Sequence, residues 1–136
     1  MATLEHYRDI VEMASDLIIT VDLDDRITSA NAATERVLGY PRSDLLGRPV
    51  ASIVAPAWHA QLRDATAAKL ASGEATVYDL ELLAADGRAV PVEVSSWLVL
   101  EDGAPVAMQA ICRDVSERVA AEAAVRERDD LLERAF

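Results

Sequence analysis

Sulfur and aromatic rings are scarce in this chain. Cys112 is its only cysteine, so no internal disulfide forms and no part of the fold depends on an oxidising compartment. Aromatic residues make up 4% of the sequence, which leaves a core to be built from Leu, Val, Ile and Ala. Five glycines and five prolines are too few for a disordered or low-complexity chain. No apolar run approaches the roughly 18 residues that a spanning helix needs. Residues 1–13 interleave apolar positions with Glu5, Arg8, Asp9 and Glu12, unlike the basic start and apolar centre of a signal peptide. Positive charge is also in deficit. Thirteen basic residues against 24 acidic ones give a net charge of −11, which opposes contact with nucleic-acid phosphates or an anionic membrane surface. The expectation is a cytoplasmic protein with no nucleic-acid partner and no membrane insertion.

The usual signatures of catalysis are missing too. Only His6, His59 and Cys112 offer nitrogen or sulfur to a metal, and no two sit at ligand spacing. Gly39, Gly47, Gly73, Gly87 and Gly103 are isolated, so there is no phosphate-binding loop and no Gly-x-Ser-x-Gly elbow. The isolated domain is therefore not expected to be an enzyme, and no metal site is assigned. His59 stands on a helical stretch beside Trp58, where an imidazole is able to ligate a haem iron. Without a companion ligand, a solvated or hydrogen-bonded histidine is the favoured reading. Cys112 reads as a small buried hydrophobe rather than a reactive thiol.

What the chain does have is pattern. Its 136 residues, 51% hydrophobic, suffice for one domain with a helical extension. Leu4, Tyr7, Ile10, Val11 and Ala14 recur at helical spacing and predict an amphipathic flanking helix over residues 1–14. A strand over residues 17–23, a turn at Asp24-Asp25 and a second strand over 26–30 follow. Asn31 is placed to cap a helix over residues 32–38, which Gly39 stops. A connector over 40–49, a short apolar run over 50–54 and a helix from Ala57 to Ser72 come next. On that helix Trp58, Leu62, Ala65 or Thr66, Lys69 and Leu70 fall near one side, while Arg63, Asp64 and the charge of Lys69 keep the other edge wet.

Three alternating strands then follow. Tyr78, Leu80 and Leu82 share one face of a strand over 76–83, and Asp86-Gly87 makes a tight hairpin turn with positive φ angles. Val90, Val92, Val94, Ser96, Leu98 and Leu100 alternate with Glu93, Ser95 and Trp97 along a long strand. Asp102-Gly103 turns the chain into the last strand, from Pro105 to Arg113. Two strands, short helices, then three hairpin-linked strands is an α+β order rather than a parallel β-α-β alternation. Residues 115–136 contain no Gly or Pro, and Ala121, Val125, Arg128, Leu132 and Ala135 form a three-four stripe. That stripe fits a partner helix or one folded back on its own domain. The lack of a stop signal before Phe136 is expected of a chain cut from a longer protein in mid-helix.

The order of these landmarks resembles the PAS sensor family. The resemblance rests on residues 16–22 with Arg26-Ile27, on Ala30-Asn31-Ala32-Ala33 through Leu38-Gly39-Tyr40, and on residues 44–49. Ala85-Asp86-Gly87-Arg88 and the exit motif Arg113-Asp114-Val115-Ser116-Glu117-Arg118 complete it. It implies a five-stranded antiparallel sheet with short helices over one face, forming a core over residues 15–114. The N-terminal helix flanks that core, and a signalling helix over residues 115–136 leaves it. It also implies a pocket walled by elements carrying Trp58, Leu62, Trp97, Met108 and Ala110. Asp114, Ser116 and Arg118 match the exit motif that ties the outgoing helix to the domain, and Asn31, Gly39, Asp86 and Gly87 match structural caps and turns. The implied function is sensory: a small apolar molecule is bound, or two copies dimerise, and the C-terminal helix relays the state to a covalently attached effector. A ligand-free association module is the alternative. A haem or flavin sensor is less favoured, because the connector lacks the cysteine of light-sensing members and His59 stands near its helix start.

Overall fold

A computed structural model describes residues 2–135, with side chains from residue 6 onwards. The side chain of Leu4 and the whole of Phe136, both used in the expectations above, lie outside the described residues. The elements run α1 (Ala2–Met13), β1 (Leu17–Asp22), β2 (Ile27–Ala30), α2 (Ala32–Leu38), α3 (Arg42–Leu45) and α4 (His59–Ser72). After them come β3 (Thr76–Leu83), β4 (Ala89–Glu101), β5 (Ala104–Asp114) and α5 (Ser116–Ala135). The strands form one antiparallel sheet in the order β2-β1-β5-β4-β3. The first hairpin thus docks against the last strand, a pairing that places Ile19 opposite Ala110 and Val21 opposite Met108.

Register then decides which side chains meet. Leu80 faces Val92, Tyr78 faces Val94, Val94 faces Cys112 and Cys112 faces Leu17. Because successive side chains alternate across a sheet, these residues share one face. Leu38, Leu45, Ile53 and Val54, from the segments between β2 and α4, pack on that face to complete the core. Each large aliphatic side chain removed from water here contributes roughly 1.5–3 kcal/mol. The opposite face carries Thr20, Gln109 and Trp97 in one row, and Tyr7 of α1 reaches it: its hydroxyl lies 3.4 Å from Gln109 Oε1.

Local chemistry explains the joints. The Asn31 side chain accepts from the Thr34 backbone and starts α2, and Gly39 ends it at φ 80° with its N–H donating to Glu35. The two Asp-Gly hairpins differ, against expectation. Asp102 and Gly103 both have positive φ, 52° and 80°, as a two-residue mirror-type turn requires. At the other hairpin only Gly87 is left-handed. The Ala84 N–H donates to the Arg88 carbonyl around a three-residue loop, and the Asp86 carboxylate accepts from the Arg88 N–H. The long helix also differs from expectation, since residues 56–58 form a 3₁₀ turn before α4 begins at His59. Lys69 is buried there, whereas Leu70 is half exposed.

Candidate functional site

A cavity lies between the inner face of the sheet and α4. Its volume is about 60 Å³, and the walls are mostly apolar. Ile19 and Val21 come from β1, Leu80 and Leu82 from β3, Val94 from β4, and Met108, Ala110 and Cys112 from β5. Val50 and Val54 close the connector side, and α4 contributes Leu62, Thr66 and Lys69. Helical spacing explains that trio, since positions 62, 66 and 69 stand one above another on a single face.

The polar groups in this wall are few. Lys69 is 1% exposed, and its ammonium lies 3.3 Å from Thr76 Oγ1 and 5.5 Å from the centre of the Tyr78 ring. Burial lowers the Lys69 pKa, and the Asp25 carboxylate, also on the cavity wall, partly opposes this. Tyr78 is pushed up to about 12, first by burial and then by Cys112, against a hydrogen bond with Ser96. Burial, followed by the charge of Asp16, likewise pushes the Cys112 thiol to about 12. At neutral pH that thiol is protonated and a poor nucleophile.

The structure sorts the candidate residues. Leu62, Met108 and Ala110 line the cavity together. Trp58 does not: it packs against the core, and its indole N–H donates to Glu81 Oε1 at 3.0 Å. Trp97 is a correction. It pairs with Gln109 on the far face of the sheet, where the alternation had already put it beside Glu93 and Ser95. His59 Nε2 sits 3.0 and 2.9 Å from the Ala51 and Val54 carbonyls, so that nitrogen carries the proton and holds the connector to α4. It is not on the cavity wall. Lys69, Thr66, Tyr78 and Ser96 were missed as wall residues, although each sits at the periodic spacing of a residue that was named.

The exit motif forms a second locus. Asp114 Oδ1 accepts from the Ser116 N–H at 2.9 Å and from the Ser116 hydroxyl. The Val115 N–H donates to the Pro91 carbonyl at 3.0 Å, and Arg118 lies 3.7 Å from Glu93, so β4 anchors the start of α5 twice. Beyond that point no described residue of α5 is buried. The helix does not fold back on its own domain.

Five antiparallel strands in this order, with α2 to α4 over one face and an outgoing helix from the last strand, have counterparts. The sequence profile of the PAS fold matches residues 11–120. The chain belongs to the PAS family. Among solved structures, a PAS domain from Colwellia psychrerythraea superposes with a TM-score of 0.78 at 20% identity, covering 85% of this chain and 98% of that one. A domain of a sensory box sensor histidine kinase/response regulator from Geobacter sulfurreducens gives 0.68 at 25%, covering 82% and 94%. The LOV protein of Rhodobacter sphaeroides gives 0.71 at 18%, covering 85% and 69%. An uncharacterized protein of Azorhizobium caulinodans is 29% identical over 123 residues, and this PAS domain spans only 17% of its length. Among the described residues no cluster of His, Cys, Asp or Glu could hold a metal, and no helix is long and apolar enough to cross a membrane.

Proposed function

We propose that this PAS domain senses a small molecule in the cavity beneath α4 and relays its presence through α5 to an attached effector. The carrying observation is a shared wall. Val94, Ser96, Met108, Ala110 and Cys112 line the cavity and belong to β4, which anchors α5, and β5, which leads into it. A ligand that shifts those strands acts directly on Pro91 and Glu93, which hold the helix start.

The uncovered apolar groups favour a homodimer as the working unit. Ile10 and Met13 on α1 are 62% and 84% exposed, and Val125, Leu131 and Leu132 on α5 are also exposed. Two copies side by side would cover such stripes. The much greater length of the Azorhizobium relative supports an effector domain in the same polypeptide. The small volume of the cavity favours one second reading, an association module whose pocket is filled by its own side chains. Native mass spectrometry after mild purification tests the proposal. A bound small molecule released on denaturation supports sensing. Bare protein that also binds no member of a fragment library leaves only association.

A further inference from the structure

Lys69 is the only lysine in the chain; the other twelve basic residues are arginines. It is also among the most deeply buried side chains, at 1% exposure. No carboxylate lies within 4.0 Å of its ammonium among the described residues. An ammonium has three donors, and among the described residues its one hydrogen bond is the 3.3 Å contact to Thr76 Oγ1. Burying a charge with no carboxylate in contact is costly, and Lys69 lines a cavity with room inside. An apolar wall with one under-used cation fits a ligand with a hydrocarbon body and an anionic end.

We infer that the cavity takes a short monocarboxylate, its carboxylate paired with Lys69 and its hydrocarbon end against Ile19, Leu80, Val94 and Met108. The inference rests on the ligand-sensing reading and names the ligand class for that same cavity. Volume sets the length. A cavity of only about 60 Å³ favours a short acid over a long-chain one. Asp25 sets the charge. It is the acidic residue on the wall, and its field opposes a second carboxylate on the ligand. Thr66 and Ser96 supply neutral hydroxyls on the same wall, able to donate to the bound anion.

The single lysine gives a direct readout. In this chain labelled with 13C-lysine, the one Cε–Hε signal is followed during titration with butyrate, butyramide, 1-butanol and succinate. Butyrate is expected to move that signal and to bind at least tenfold more tightly than each of the other three. Lys69→Met is expected to keep the fold and lose the preference for butyrate over butyramide, read from the methyl signals of Leu80 and Val94. If butyramide or butanol binds wild-type protein as tightly as butyrate, the sensing reading stands and the anion assignment falls. If succinate binds best, the role of Asp25 falls with it. If no probe moves the Lys69, Leu80 or Val94 signals, the short-carboxylate inference fails, and the sensing reading stands or falls by the native mass spectrum and the fragment library. The wild-type comparison decides the matter even where Lys69→Met does not fold.

Discussion

The Asn31 side-chain amide donates to the Val11 carbonyl at 2.9 Å, which fastens the flanking helix α1 to the core. The same NH2 donates to the Asp16 carbonyl at 2.9 Å, and Oδ1 accepts from Ile18 N–H, Thr34 N–H and the Thr34 hydroxyl. One buried side chain thus joins α1, β1 and α2, which is far more than a helix cap.

Asn31→Asp should therefore destabilise the domain, since it keeps the acceptor but faces two carbonyls with a carboxylate. A loss of about 2–4 kcal/mol is expected in urea unfolding. A loss under about 0.5 kcal/mol would reduce Asn31 to an ordinary cap.

Lys69→Met should raise the stability of the ligand-free chain. It replaces a buried ion with no carboxylate in direct contact by an apolar side chain of similar length. An increase of about 1–2 kcal/mol in the same unfolding experiment is expected, and a clear decrease would show that the Thr76 and Tyr78 contacts outweigh the desolvation of the charge.

Alkaline pH should destabilise the fold from pH 9 upward. The Cys112 thiol rises from 9.0 to about 12 in the folded chain, so the unfolded chain releases its proton first. Stability from this group is complete below pH 9 and is lost towards pH 12, at up to about 1.4 kcal/mol per pH unit. Tyr78, raised from 10.0 to about 12, adds to the loss above pH 10. Lys69, lowered from 10.5, acts in the opposite sense: the folded chain sheds its proton first and gains stability as pH rises to 10.5. Cys112→Ala should flatten the decline between pH 9 and 10, measured by urea midpoints across the range. An unchanged slope would count against the buried thiol.

At the exit motif, Asp114→Ala removes the acceptor for both Ser116 groups. The expected effect is local. Amide exchange should quicken over residues 115–119 while global stability falls by about 1 kcal/mol or less, given how exposed these groups are. Output of the full-length protein should change. Global unfolding would make the motif structural and end the relay reading.

Leu132→Glu should weaken self-association without altering the melting of the core, because this residue is half exposed on a helix with no buried residue among those described. Sedimentation velocity checks it, and an unaffected dimer, or a wild-type monomer at high concentration, would move the interface elsewhere.

Much of the architecture was legible because its causes are local. Alternation along residues 76–83 and 90–100, the Asn31 cap, the left-handed Gly39 and the Asp102-Gly103 turn are set by neighbours within a few residues, whereas the turn type at Asp86-Gly87 was not read correctly. Trp97 shows the limit of importing a role by element: its parity with Glu93 and Ser95 already excluded the inner face. The 3₁₀ turn at residues 56–58 was not legible, because a proline suits the first turn of either helix type.

By itself the sequence determined the strands, the caps, the element order and the absence of any disulfide or metal-ligand pattern. Each follows from residue identity and short spacing. Tertiary structure alone decided that β1 docks on β5, and so which faces of five strands meet beneath α4. That non-local pairing buried Lys69 in a cavity, where a helix periodicity that tolerated either side could not place it. It also left α5 uncovered, since nothing in an apolar stripe says whether its partner is the same chain or another.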